Sequence, residues 1–292
     1  MMEENTMRKE ILTGIAVFTL AFTVLTGCGN KQEVESASSK AETEALQTQS
    51  EETGTAEASL LETVRETGVL KIGTEGTYAP FTFHDENNKL VGFDVEVAEK
   101  VAEKLGVKAE FVETKWDSII AGLDAERFDV VINQVSITEE RLEKYDFSIP
   151  YSYTHGALIV KGSNEEITDF DQIAGKKAAQ SLTSNWGKLA EEKGAELVST
   201  DGFNQSVELV LAGRADLTLN DDLTYYDYLN QKPDADLKIV ALSDDTSASA
   251  VMIRKGNEDL VQEIDKALKE LADEGVLSEI SEKYFGTDVT KE

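Results

Sequence analysis

The chain has 292 residues, 40% of them hydrophobic, with 57 acidic against 28 basic side chains and a formal net charge of −29. That length and apolar content allow two domains of ordinary size. The acidic balance argues against nucleic acid, which requires a basic face, and is a statement about solubility rather than fold.

In chain order, Arg8 and Lys9 precede an apolar run over 11–25, followed by Leu25-Thr26-Gly27 and Cys28. A positive start, a short apolar stretch and small residues before a cleavage point make a secretory signal. An uncleaved anchor helix is the alternative, although the run is somewhat short of the roughly 20 apolar residues a span needs. Cys28 is the one cysteine of the chain, and the residues before it resemble the bacterial lipobox. That resemblance implies cleavage after residue 27 and lipid attachment to the Cys28 sulfur, hence anchoring to the outer face of the cell membrane. Residues 29–58 are rich in Glu, Ser, Thr, Ala and Gln. Such a segment buries too little to offset the entropy of ordering and is expected to be a tether spanning about 30 Å.

Beyond residue 60 strands and helices alternate. Strand 69–74 leads through a loop, 75–89, to helix 94–106, with Val97, Val101 and Leu105 spaced by four, Asp94 as N-cap and Gly106 as the residue after its end. Strand 108–113, helix 116–127 and strand 129–133 follow. A second block places strands at 176–180, 196–199 and 216–220 and helices at 184–194, 204–214 and 222–231. Strand 237–242 and helices 258–275 and 277–286 complete the chain. The alternation predicts α/β layers on largely parallel sheets.

The two blocks echo one another. 127-RFDVVIN-133 and 214-RADLTLN-220 share Arg-x-Asp, three mainly apolar residues and Asn, and each Asn is followed by a polar residue, Gln134 or Asp221. In open α/β sheets ligands bind beyond the carboxyl ends of strands. Two facing lobes would therefore bring Asn133-Gln134 and Asn220-Asp221 onto opposite walls of one cleft. Ser136 with Glu139 fits a capping box, so a short helix is expected to begin after Ser136. Arg141 then lies in its first turns, either as a surface cation paired with Glu140 or Glu143 or as the donor of a bidentate pair to a bound carboxylate. Asp221 either caps the helix after it or holds an ammonium group. The hydroxyls of Ser181, Thr183 and Ser184 either cap a helix or supply further donors. Tyr78, Phe81 and Trp116 fall at strand-to-helix connections on the same edge. Together these groups suit a small zwitterion.

71-KIGTEGTYAPFTFHDENNKLVGFDVEVAEKVAEKLG-106, 116-WDSIIAGL-123, 131-VINQVSITEERLEKYDFSIPY-151, 180-QSLTSNWGKLA-190 and 219-LND-221 resemble the family 3, polar amino-acid, solute-binding proteins of ABC importers. Within that family the stretches Gly-Thr-Glu-Gly-Thr-Tyr, Asn-Gln-Val and Gln-Ser-Leu-Thr-Ser-Asn are most similar to the L-cystine-binding lipoproteins. The resemblance implies a type II periplasmic-binding fold of two α/β lobes joined by a two-crossover hinge. It places lobe 1 at 59–153 and 250–292, lobe 2 at 154–249, and the crossovers near 152–158 and 245–251. It implies Arg141 and Thr183 as carboxylate contacts, Asp221 as the ammonium contact, Ser136 as a hydroxyl contact, and Tyr78 and Trp116 as aromatic walls. Asn133 and Gln134 depart from the small hydroxyl residues common in histidine- or lysine-binding members, which puts the ligand's identity in question. Glu75 is a candidate for the ligand's distal end. The implied partners are an amino acid, cystine above all, and ABC permease and ATPase subunits. No cofactor, no metal and a monomer are expected. Binding of glutamine, glutamate, lysine or arginine is the alternative. An enzyme resembling the cyclohexadienyl dehydratases is a further one, against which stands the lack of any Gly-x-Ser-x-Gly or His-Glu-x-x-His motif. His84 and His155 are expected to be structural or solvent-facing.

Overall fold

In the computed structural model, which describes residues 58–292, the chain begins with a helix that the strand–helix alternation did not disclose. In α1 (Leu60–Thr67) the Ser59 hydroxyl accepts the Glu62 N–H, and the Glu62 carboxylate accepts the Ser59 N–H at 3.0 Å. This reciprocal capping satisfies two otherwise orphaned donors. β1 (Val69–Thr74) follows. The expected loop 75–89 instead carries β2 (Thr77–Tyr78) and β3 (Thr82–His84), which with β4 (Leu90–Val91) form a small antiparallel sheet. α2 (Phe93–Leu105) starts one residue early, with Gly92 rather than Asp94 at its N-cap. Gly92 has φ 137°, and a Cβ there would stand 2.0 Å from the Phe81 carbonyl oxygen, so only glycine fits.

β5 (Lys108–Glu113), α3 (Trp116–Asp124), β6 (Val130–Val131), α4 (Glu139–Lys144) and β7 (Tyr145–Phe147) complete the first pass. β8 (Ser152–Lys161) crosses into the second lobe, where a 3-10 turn (Phe170–Gln172) precedes β9 (Lys177–Gln180), α5 (Asn185–Glu192), β10 (Glu196–Ser199), α6 (Phe203–Leu211), β11 (Leu217–Asp221) and α7 (Asp222–Gln231). β12 (Leu237–Ser249) brings the chain back, and β13 (Met252–Arg254), α8 (Glu258–Asp273) and α9 (Val276–Phe285) end it against the first lobe.

The sheets run β5-β1-β6-β13-β7 and β10-β9-β11-β8-β12. In each, three strands joined through helices pair in parallel, and the other two pairings are antiparallel because one strand, β13 or β8, runs against the rest. The parallel expectation therefore holds for half of each sheet. β13 returns from the other lobe and β8 leaves for it, and each enters its sheet from the opposite direction. Both sheets are packed on two faces, as helix-linked parallel strands require. Phe81, Phe93, Tyr151, Ile264 and Leu268 are on one side of the first, and Phe128, Trp116 and Met252 on the other. α8 buries Leu260, Ile264, Ala267, Leu268 and Leu271, a stripe of helical period. Each fully buried Leu or Ile contributes roughly 1.5–3 kcal/mol.

Among the described residues no helix is long and apolar enough to cross a membrane. The leader, Cys28 and most of the tether lie outside them.

Candidate functional site

The carboxyl ends of the parallel strands of both lobes converge on one cleft. Its empty volume is about 530 Å³, its mouth included. Glu75, Tyr78, Trp116, Asn133 and Gln134 line it from the first lobe, and Gln180, Ser184, Trp186, Phe203, Asn220 and Asp221 from the second.

Asp221 ends β11 and stands at the N-cap of α7, yet its side chain makes no capping bond. Its Oδ1 accepts the Thr154 hydroxyl at 2.6 Å, and its Oδ2 lies 2.6 Å from the Tyr78 hydroxyl. Tyr78 Oη is equally close to Asn220 Oδ1, and its single proton serves one of the two at a time. Tyr78 belongs to the first lobe, so this hydroxyl spans the cleft. Asp221 is 4% exposed, no cation pairs with it among the described residues, and burial pushes its carboxyl up from the usual carboxylate range.

Glu75 follows β1. Asn133 Nδ2 donates to its carboxylate at 2.9 Å, and burial pushes its carboxyl up to about 7 despite that bond. Asn133 itself is fully buried. Its Oδ1 accepts from the Thr74 hydroxyl, the Glu75 N–H and the Thr82 hydroxyl at 2.8–3.1 Å. Both ends of the amide are committed to the protein, so Asn133 shapes the wall by fixing Glu75. Gln134 is held likewise. Its backbone, at φ 49°, and its Nε2 each donate to Asp94 at 2.7 Å, and its Oε1 accepts from Ser152. This is what Asp94 does in place of capping α2. Burial raises its carboxyl to about 7.

Arg141 is 7% exposed and has no carboxylate partner among the described residues. Glu140 pairs with Lys144 and Lys188 instead, which removes the surface-pair reading. Arg141 donates to the Ser136 carbonyl at 2.9 Å and stacks 5.5 Å from the Trp116 ring centre. Burial lowers it to about 10. It lines an adjoining pocket with Thr138 and Lys188, which meets the main cleft at Asn185. The helix cap is Thr138, whose hydroxyl accepts the Arg141 N–H at 3.3 Å, and not Ser136. Ser136 is drawn into a bridge with Ser249, and its hydroxyl accepts from Ser247.

Thr183 is exposed and donates through both N–H and hydroxyl to Asp117 of the first lobe, at 3.1 and 2.8 Å. Ser184 caps α5. Phe81 does not reach the cleft. It is fully buried, 5.1 Å from the Tyr78 ring and 5.7 Å from Phe285, and supports Tyr78 from behind because an apolar ring without a polar tip belongs in the core. Trp186, Gln180 and Phe203 were not anticipated. Trp186 lies in the first turn of α5 as Trp116 lies in that of α3, a signal the comparison of the two blocks contained. Gly156 of β8 leaves room for its ring, which a Cβ would meet at 2.4 Å.

Among the described residues the arrangement offers an unpaired buried cation, Arg141, and several buried carboxyls, a set that suits a zwitterion with extra positive charge. Among the described residues no three His, Cys, Asp or Glu converge to hold a metal. His84 contacts the Gly76 carbonyl and Glu113, and His155 the Ser243 carbonyl, so neither serves the cleft.

Residues 70–287 match the bacterial extracellular solute-binding proteins, family 3. A probable amino-acid ABC transporter-binding protein of Haemophilus influenzae is 48% identical over 228 residues, 78% of this chain and 89% of that protein. The L-cystine-binding protein TcyA of Bacillus subtilis is 44% identical over 229 residues, 78% of this chain and 85% of that one. Among solved structures, the L-cystine solute receptor of Neisseria gonorrhoeae in its unliganded open conformation is 47% identical. The match covers 80% of this chain and all of that one, with a TM-score of 0.55. These relatives are named for binding and not for catalysis. The two-lobed α/β architecture is the type II periplasmic-binding fold. By its fold and by the match over 70–287, the chain belongs to the bacterial extracellular solute-binding proteins, family 3.

Proposed function

We propose that this protein is an extracytoplasmic receptor, held to the cell membrane by lipid at Cys28, that captures L-cystine between its lobes and delivers it to an ABC permease. The observation that carries the ligand class is the pair of buried, unpartnered charges, Arg141 in the first lobe and Asp221 in the second. A desolvated charge without a partner is costly and is retained where a ligand supplies the counter-charge. Arg141 receives the α-carboxylate and Asp221 the α-ammonium. Tyr78 and Trp116 flank the side chain, and sulfur packs favourably against such rings. Glu75 takes the ammonium at cystine's far end, which a neutral or acidic side chain would leave unanswered. The names of the cystine-binding relatives support this choice over glutamine and glutamate.

Residues 59–153 with 250–292, and 154–249, act as the two bodies that close on the ligand, in a protein that works as a monomer. A ligand touching both lobes favours the closed state by its differential affinity. With Cys28 acylated, the mature chain holds no thiol to exchange with a disulfide ligand.

Thermal shift of residues 58–292 against cystine, cysteine with reductant, glutamine, glutamate, lysine and arginine tests the assignment. Cystine is expected to raise the midpoint most, and reductant to abolish its effect. A shift with glutamine or arginine and none with cystine removes the cystine assignment and keeps amino-acid binding. Cys28→Ala is expected to release the protein from the membrane fraction, and a lipid-labelled, membrane-bound variant would refute the anchor.

A further inference from the structure

β8 carries the chain from the first lobe into the second, and two of its hydroxyls, those of Ser152 and Thr154, reach one wall of the cleft each. Ser152 and Thr154 are two residues apart, so their side chains leave the same face of the strand. They are 0% and 3% exposed. Ser152 Oγ donates to Gln134 Oε1 at 3.1 Å, on the first-lobe wall. Thr154 Oγ1 donates to Asp221 Oδ1 at 2.6 Å, on the second-lobe wall. Neither hydroxyl lines the cleft itself. The partner strand repeats the device. Ser247 pairs with Thr154 in register and donates to the Ser136 hydroxyl at 2.9 Å. Ser249 pairs with Ser152 and bridges to Ser136.

A threonine hydroxyl has one proton, and Thr154 places it on Asp221. The Tyr78 hydroxyl, whose one proton Asp221 shares with Asn220, meets the other oxygen, so Thr154 is the donor committed to this carboxylate. Short bonds to an ionised acceptor are among the stronger ones and fix its orientation. Asp221 itself lines the cleft. We infer that Thr154 is a positioning residue for amino-acid binding: from the strand joining the lobes, it fixes the Asp221 carboxylate in the orientation that receives the ligand's ammonium. Ser152 does the same for Gln134, so the strand that must bend on closure is tied to both walls. The inference rests on Asp221 being the ammonium acceptor.

Calorimetric titration with the amino acid that binds wild type most tightly, L-cystine on the assignment above, tests it. Thr154→Val keeps the shape of the side chain and removes the oxygen. It is expected to weaken binding at least ten-fold while the circular dichroism and melting of the ligand-free protein stay within a few degrees of wild type. Thr154→Ser restores the oxygen and is expected to return affinity to within about three-fold. Where Thr154→Val does not fold, Thr154→Ala against Thr154→Ser makes the same comparison. Wild-type affinity in Thr154→Val, or equal weakening in Val and Ser variants, overturns the inference while Asp221→Asn still abolishes binding. Wild-type affinity in Asp221→Asn overturns the site assignment itself.

Discussion

Asp129 and Asp216 make the same bond in different lobes. The Asp129 carboxylate accepts the Lys71 N–H at 2.8 Å, and the Asp216 carboxylate accepts the Lys177 N–H at 2.7 Å. Each aspartate's own N–H returns to the carbonyl of the same lysine, at 2.9 and 2.8 Å. Both therefore lock the entry of one parallel strand, β6 or β11, to its neighbour, β1 or β9. The exits of those strands present Asn133 and Asn220 to the cleft. The repeated Arg-x-Asp-…-Asn pattern is one structural unit used twice, with the aspartate at the outer end and the asparagine at the ligand end.

Asp129→Ala and Asp216→Ala are accordingly expected to destabilise the protein by about 1 kcal/mol each, the net worth of such a hydrogen bond. The two sites lie in separate sheets and should add. Chemical denaturation measures both effects. Ligand affinity should stay within about two-fold, because the outer strand ends are far from the cleft. A ten-fold loss of affinity in either variant would mean that strand entry and exit are coupled.

Arg141→Met carries an unusual expectation, because the guanidinium is buried without a carboxylate. Removing an unpaired desolvated charge relieves a cost, so the ligand-free variant should melt at or above the wild-type temperature. Binding should fall by at least 100-fold, or about 3 kcal/mol. Arg141→Lys should recover little, since an ammonium cannot form the forked pair. A variant that melts lower and still binds would make Arg141 a structural residue.

The repeat and most elements could be read from the sequence because they are local. Apolar spacing by four gave α2, and a turn of polar residues after an apolar run gave the strand exits. What could not be read depends on partners remote in the chain. Ser136 loses its capping role to Thr138 because Ser249 pairs with it from the returning strand. Asn133 looked like a selector of ligands, yet Thr74 and Thr82 consume its carbonyl. Phe81 and Tyr78 share one loop, and only packing against Phe285 sends one inward and leaves the other at the cleft. β7 and β13 are recognisable only through the strands they pair with, each other and β6.

Contacts across the cleft mouth should make release sensitive to salt. Lys115 pairs with Asp201 at 2.6 Å, Lys188 with Glu140, and Asp117 accepts from Thr183, each joining opposite lobes. These groups are substantially exposed, so each pair is worth at most about 1 kcal/mol. Lys188→Glu should speed ligand dissociation several-fold at 50 mM salt in stopped-flow measurements. The difference should largely vanish near 1 M, where the screening length is about 3 Å. A difference that persists at high salt would point to packing rather than charge.

Glu75 should make stability and binding depend on pH in a stated direction. Burial raises its carboxyl from 4.5 to about 7, so the folded protein holds this proton more tightly than the unfolded chain. The resulting stabilisation is full below about pH 4.5, declines as pH rises, and is gone above about 7. It amounts to roughly 3 kcal/mol at 1.36 kcal/mol per pKa unit. Asp94, raised to about 7 by burial, adds a contribution of the same sign. Glu75→Gln should therefore flatten the fall in ligand-free stability between pH 5 and 7.5 but not abolish it. An ammonium bound beside Glu75 favours the ionised carboxyl. Cystine should then release protons on binding at pH 6–6.5, seen as a binding enthalpy that differs between buffers of different ionisation heat. The Glu75→Gln protein should release fewer protons, keeping only the share from Asp221, whose carboxyl burial also raises. Equal proton release in wild type and variant would place the ligand's distal ammonium away from Glu75.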